Sequence, residues 1–177
     1  VINIKLKEAT NESTKTTLSA DYGSFNTYNA NANVSGKANK LTYMVNGTYK
    51  SSDGFSAASD TLGTENFDED GFQSLNFLGR LGYQLNDQFS IGLLAGYDRV
   101  ESGFDGGAFS DNDSELDLTL LKFAISPTYK WNRGSLRGNF SYHSNERIFD
   151  SPNFFDPTTR SISEFNGNTL QADIILD

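Results

Sequence analysis

The chain has 177 residues, a formal net charge of −9, no cysteine, and only 36% hydrophobic residues beside 13% aromatic ones. The missing cysteines exclude disulfide frameworks, cysteine-ligated zinc and thiol nucleophiles, and the acidic charge argues against a nucleic-acid partner. No run approaches the ~18 consecutive apolar residues of a membrane helix, but a transmembrane β-barrel stays open, because its lipid-facing and lumen-facing residues alternate and escape hydropathy.

Helix-period apolar stripes are absent, and period-2 alternation recurs along the chain. Val1-Ile2-Asn3-Ile4-Lys5 reads as an isolated strand too short to cross a bilayer, followed by the polar stretch from Glu8 to Lys15. Eight longer strands come next. Leu18, Ala20 and Tyr22 mark the first, and Tyr28, Ala30, Ala32 and Val34 mark the second, alternating with Asn29, Asn31, Asn33 and Ser35. Leu41, Tyr43, Val45 and Tyr49 mark the third, and Leu75 to Gln84 holds the fourth. Phe89, Ile91, Leu93, Ala95 and Tyr97 form the apolar side of the fifth, and Leu121, Phe123, Ile125, Pro127, Tyr129 and Trp131 that of the sixth. Leu136, Phe140 and Tyr142 mark the seventh, and Leu170, Ala172, Ile174 and Leu176 the eighth. Most of these strands reach the ~9 residues that a tilted strand needs to cross hydrocarbon.

The connections alternate in length. Tight turns are expected at 37–40, 86–88 and 132–134, and long connections at roughly 52–72, 100–115 and 147–167, with a shorter one from Gly23 to Thr27. All long connections then leave one end of the sheet, the asymmetry of outer-membrane barrels, whereas strands of soluble sandwiches average about five or six residues. Tyr22, Tyr49, Tyr83, Tyr97, Tyr129 and Trp131 stand at strand ends, as interfacial aromatic girdles do. The polar faces carry Lys50, Arg80, Lys122, Lys130, Arg137, His143 and Asp173. They suit either an internal ion-pair network in a small closed barrel or the wall of a wider, hydrated lumen.

Carboxylates collect in two long connections. No Lys or Arg occurs from Ser51 to Gly79, which holds Asp53, Asp60, Glu65, Asp68, Glu69 and Asp70. None occurs from Val100 to Leu121, which holds Glu101, Asp105, Asp111, Asp113, Glu115 and Asp117. Two neighbouring loops of this kind repel unless a cation joins them, and calcium takes six to eight oxygen ligands; solvated surface charge is the other reading. Asp111 to Glu115 opens like an EF-hand loop but has Leu116 where that loop needs Gly and Lys122 where it needs Glu. The single histidine, His143, lies in a strand pattern with no nucleophile elbow, and neither phosphate-cradling glycine motif occurs, so no enzyme chemistry is expected. Phe149, Phe154, Phe155 and Phe165 in the last long connection read as loop packing, with contact to a ligand or a surface lipoprotein as the alternative.

Val1-Ile2-Asn3-Ile4, Leu18-Ser19-Ala20-Asp21-Tyr22-Gly23-Ser24, Asp53-Gly54-Phe55 and the order of strands and loops resemble TonB-dependent outer-membrane receptors over the whole chain. Within that family, Asp68-Glu69-Asp70-Gly71-Phe72, Gly96-Tyr97-Asp98-Arg99 and Phe104-Asp105 are most like the cobalamin (vitamin B12) receptors. The resemblance implies an all-β fragment. Residues 1–9 would be the last strand of the plug domain, 10–15 a linker, and 16–177 the first eight strands of an antiparallel transmembrane barrel of about 22 strands. An ending in Leu176-Asp177, without the terminal aromatic residue of a finished barrel, agrees with that expectation. The resemblance further implies TonB-driven import of a large scarce nutrient across the bacterial outer membrane, in contact with its lipid, with TonB engaged through the plug. It makes Asp68, Asp70 and Asp105, completed by Asp111 or Asp113, the ligands of calcium that orders the loops over the substrate. Ser56 stands where those receptors carry an Asp. A siderophore or glycan receptor of the same fold, a complete eight-stranded anchor or adhesin, and a soluble carbohydrate-binding β-domain with Phe and Tyr as sugar platforms are the other readings.

Overall fold

A computed structural model describes residues 13–177 except 57, 60, 62, 64–66, 154 and 157. The expected plug strand and most of the linker therefore lie outside the described residues, as do Asp60, Glu65 and Phe154. Eight strands form one antiparallel sheet in sequence order: β1 Lys15–Gly23, β2 Thr27–Ala38, β3 Leu41–Ser52, β4 Phe72–Gln84, β5 Phe89–Phe104, β6 Ser114–Trp131, β7 Gly134–Pro152 and β8 Arg160–Leu176. β1 and β8 are not paired with each other, so the sheet is not closed.

The register explains why the alternation runs in step across the sheet. Val45, Gly79, Ala95 and Phe123 stand in one cross-strand row, and Tyr43, Leu81, Leu93 and Ile125 in the next. A one-residue slip would exchange the faces, so register and face are fixed together. The apolar band is about five alternate positions deep on β3 to β6. That depth is about 26 Å along the strand and roughly 20 Å along a barrel axis at the usual tilt. No hydrophobic side chain among the described residues is buried. The chain exposes 12494 Å² of surface, against about 8,500 Å² for a compact protein of its mass.

The other face is polar and tied across strands. Asn31 donates to Thr48 at 2.7 Å, Lys122 to Asp98 at 3.0 Å, Ser126 to Asn139 at 3.0 Å and Asn139 to Asp173 at 3.5 Å, and Asn76 also donates to Asp98. Lys15, Lys37, Lys50 and Arg80 on β1 to β4 and Lys122, Lys130, Arg137 and Arg147 on β6 and β7 share this face. Only Asp21, Asp98 and Asp173 oppose them there, so this acidic protein has one face with a surplus of positive charge.

Two of the long connections are shorter than expected. The β5–β6 ladder continues from Val100↔Leu118 to Phe104↔Ser114, and the β7–β8 ladder to Pro152↔Arg160, leaving connections at 105–113 and 153–159. The reason is an inversion of sides. Beyond Tyr97, the row that carries the apolar band continues as Arg99, Glu101, Asp117 and Glu146, while Val100, Leu116, Leu118 and Phe149 lie on the polar side. Phe104, Phe149 and Phe165 stack edge-on there at 6.3 and 6.1 Å, which bears out aromatic packing for Phe149 and Phe165.

The tight turns follow from local chemistry. Asn39 takes φ 51° between β2 and β3, and Asn86 Oδ1 accepts from the Gln88 and Phe89 amides at 3.0 and 2.8 Å. The β1–β2 turn, Ser24 to Thr27, has φ 57° at Phe25 and 48° at Asn26 and is closed by Thr27 N–H donating to Ser24 O at 3.2 Å. Positive φ at both central positions is the type I′ hairpin arrangement, which favours Asn and Gly. A Phe in the first of them costs about 1–2 kcal/mol.

Candidate functional site

The site begins at the two ends of the β3–β4 connection. Gly54 has φ +76°, and a Cβ there would collide with the Asp70 carbonyl; one on Gly71 would lie 3.0 Å from the Ser52 and Asp53 carbonyls. Two glycines thus let Asp53-Gly54 and Asp70-Gly71 lie backbone against backbone, and Gly103 N–H donates to Gly71 O at 2.9 Å, fastening both to β5. The β5–β6 connection is held to the same place: Ser59 N–H donates to Ala108 O at 2.8 Å.

Asp105 is the hub. Its Oδ2 accepts from Ala58 N–H at 2.5 Å and Ser56 Oγ at 3.0 Å, and its Oδ1 from Asn112 N–H at 3.4 Å. Carboxylate oxygens of Asp68, Asp105 and Asp111 all lie within 4.8 Å of one another. Asp70 neighbours Asp105, and its Oδ1 lies beside Gly103. Asp111 Oδ1 is buried and has no hydrogen-bond partner. Of the residues expected from sequence, Asp68, Asp105 and Asp111 come together with Asp70 alongside. Asp113 points elsewhere: its carboxylate is 77% exposed and takes Arg160 Nη1 at 3.3 Å.

The electrostatics follow from this crowding. Desolvation, then the facing Asp68, push the Asp111 carboxyl up to about 6. Burial also pushes Asp105 upward, but the hydrogen bonds from Ala58, Ser56 and Asn112 outweigh it and hold its pKa below the ordinary value. The two cations nearest in register are engaged elsewhere. Arg99 pairs with Glu101 at 2.5 Å and Asp117 at 2.9 Å, and Arg160 with Asp150 at 2.8 Å. A recess of about 690 Å³ opens beside the cluster, lined by Asp68, Asp70, Glu101, Asp117 and Asp150 among others and by no Lys or Arg. An oxygen-only donor set with an orphaned carboxylate oxygen fits a hard divalent cation.

The raised Asp111 carboxyl sets a pH dependence. Without a cation, the folded loops hold a proton that the unfolded chain releases, so protonation of Asp111 stabilises them below pH about 6, and that stabilisation is lost as pH rises through about 6. A cation competes with the same proton. Its affinity is therefore expected to fall up to tenfold per pH unit below about 6. Calcium titrations at pH 7.5 and 5 check this, and equal affinities at both would contradict it.

Ser56 Oγ donates to Asp105 Oδ2 at 3.0 Å, a contact that the sequence does not announce. The Arg160 pairs with Asp113 and Asp150 carry no local signal, because they join residues brought together by the β6–β7 and β7–β8 ladders. No family model and no curated protein matches this chain.

Proposed function

We propose that the chain is a wall segment of a TonB-dependent outer-membrane transporter whose acidic loops, ordered by calcium, capture a cobalamin-like nutrient. The observation that carries the reading is that an apolar band crosses one face of β3 to β6 and that no hydrophobic side chain among the described residues is buried. Hydrocarbon covers such a face at no cost, and a sheet that is open at β1 and β8 among the described residues suits a wall continued by further strands rather than closure at eight. In this reading β1 to β8 cross the membrane, the polar face borders the lumen, and the connections at 53–71 and 105–113 stand outside. Asp68, Asp105 and Asp111, with Asp70 and the Ser56 hydroxyl, hold the ion, which neutralises the carboxylates and locks the two connections together. TonB engages the plug, and outer-membrane lipid and a surface lipoprotein are the remaining partners.

Labelled cobalamin binding by the full-length protein, with and without EDTA, tests this. The reading expects binding that drops at least tenfold on chelation. No binding in either condition overturns the cobalamin assignment, and binding indifferent to EDTA overturns the calcium. Ser56→Asp adds a carboxylate at Asp105 and is expected to raise calcium affinity roughly tenfold by calorimetry, since ligand charge tunes such sites; an unchanged affinity would count against an ion there. A siderophore receptor of the same fold is the second reading. The surplus of Lys and Arg on the polar face favours it, because that wall attracts an anionic chelate.

A further inference from the structure

Asp113 stands at the edge of the acidic cluster without joining it. The Asn112 amide donates to Asp105 Oδ1 at 3.4 Å, and Asn112 Oδ1 accepts from Ser114 Oγ at 2.6 Å. Ser114 N–H returns to Asn112 O at 2.7 Å, which closes a three-residue turn with Asp113 at its apex. Both flanks of the apex are therefore fixed, Ser114 being 3% exposed, while the Asp113 carboxylate stands in solvent on the recess that Asp68 and Asp70 also line. Arg160 holds it there. Its Nη1 donates to Asp113 O at 2.8 Å and to Asp113 Oδ2 at 3.3 Å, and its Nε donates to Asp150 Oδ1 at 2.8 Å. The backbone bond and the seat on Asp150 do not need the Asp113 carboxylate.

We propose that Asp113 is an exchangeable ligand of the cation site: Arg160 holds its carboxylate while the site is empty, and the carboxylate moves to the ion when the site fills. In the empty cluster Asp68, Asp70, Asp105 and Asp111 repel a further carboxylate, and Arg160 takes it. An ion pair this exposed is weak and screened. A bound divalent ion is the largest charge in such a site and reverses the local preference. Calcium takes about six to eight oxygens, and one each from Asp68, Asp70, Asp105, Asp111 and the Ser56 hydroxyl leaves it short. Arg160 and the ion then compete for one carboxylate, so Arg160 sets the affinity of a site that it does not touch. The inference rests on the proposed cation site and on neither the transported substrate nor the membrane.

The test compares full-length wild type, Asp113→Asn, Arg160→Gln and the double variant. Calorimetry reads calcium affinity, and europium(III) luminescence lifetimes in light and heavy water count the waters left on the ion. Asp113→Asn is expected to weaken calcium at least tenfold and to add about one ion-bound water. Arg160→Gln is expected to tighten calcium about two- to fivefold, the worth of an exposed pair, and the double variant to match Asp113→Asn. An Asp113→Asn protein with unchanged affinity and water count would overturn the proposal, and that variant decides alone should Arg160→Gln lose its fold. A gain from Arg160→Gln that persists in the double variant would also overturn it, since removal of a nearby positive charge would then explain the whole effect. Wild type that binds neither ion fails the cation site itself; wild-type binding with either of the other outcomes fails the exchange alone.

Discussion

Leu93→Arg is expected to destabilise the protein by about 2–4 kcal/mol in a lipid bilayer, the cost of a cation on the lipid face near the midplane. Leu93 lies between Leu81 and Ile125 in the middle of the apolar band and is already half-exposed in the isolated sheet. In water the same substitution is worth no more than about 0.5 kcal/mol either way, because nothing packs over the side chain. Thr169→Arg, on the polar face of β8, is the control and is expected to be tolerated. Urea titration of the full-length protein in phospholipid vesicles separates the two. Equal tolerance would mean that the apolar face does not meet hydrocarbon.

Gly54→Ala is expected to reduce cation affinity by roughly two orders of magnitude while leaving the sheet intact. A methyl group at φ +76° costs about 1–2 kcal/mol of backbone strain. Its collision with the Asp70 carbonyl adds a comparable overpacking penalty. Both are relieved by moving the backbone that carries Asp68 and Asp70 away from Asp105. Gly63→Ala in the same connection is the control: φ is +65°, but nothing lies within 4 Å of the added carbon. Calcium calorimetry on both variants should show a large loss for Gly54→Ala and a small change for Gly63→Ala. Similar losses would mean that the cluster does not depend on the seating of Asp70.

The strands and their sides were legible because one physical rule governs β2 to β6: every second residue is apolar, and register carries that rule from strand to strand. The rule misled where it changed sign. Between Tyr97 and Phe104 the alternation continues with the sides exchanged, so Val100, Leu116 and Leu118 look like the end of a strand although the backbone ladder runs on. The acidic cluster was legible as composition, twelve carboxylates without a Lys or Arg in two stretches. Which of them meet was not. Asp105 is chosen by the Ala58 and Asn112 amides, and the Asp113 carboxylate is drawn off by Arg160, contacts set by loop closure and by the β6–β7 and β7–β8 ladders. The form of the β1–β2 turn escaped for a related reason, since nothing in Ser24-Phe25-Asn26-Thr27 announces a type I′ turn.

The absence of cysteine allows single cysteines to be placed one at a time along β5, from position 91 to 102, each carrying a spin label in the full-length protein in vesicles. The account predicts that labels at 91, 93, 95 and 97 are accessible to oxygen dissolved in the bilayer, and that labels at 92, 94, 96 and 98 are accessible to a water-soluble nickel chelate. Above Tyr97 the lipid signal should disappear, with Arg99 and Glu101 positions facing water. Equal access of the nickel chelate to odd and even positions from 91 to 98 would contradict a sheet that spans a membrane.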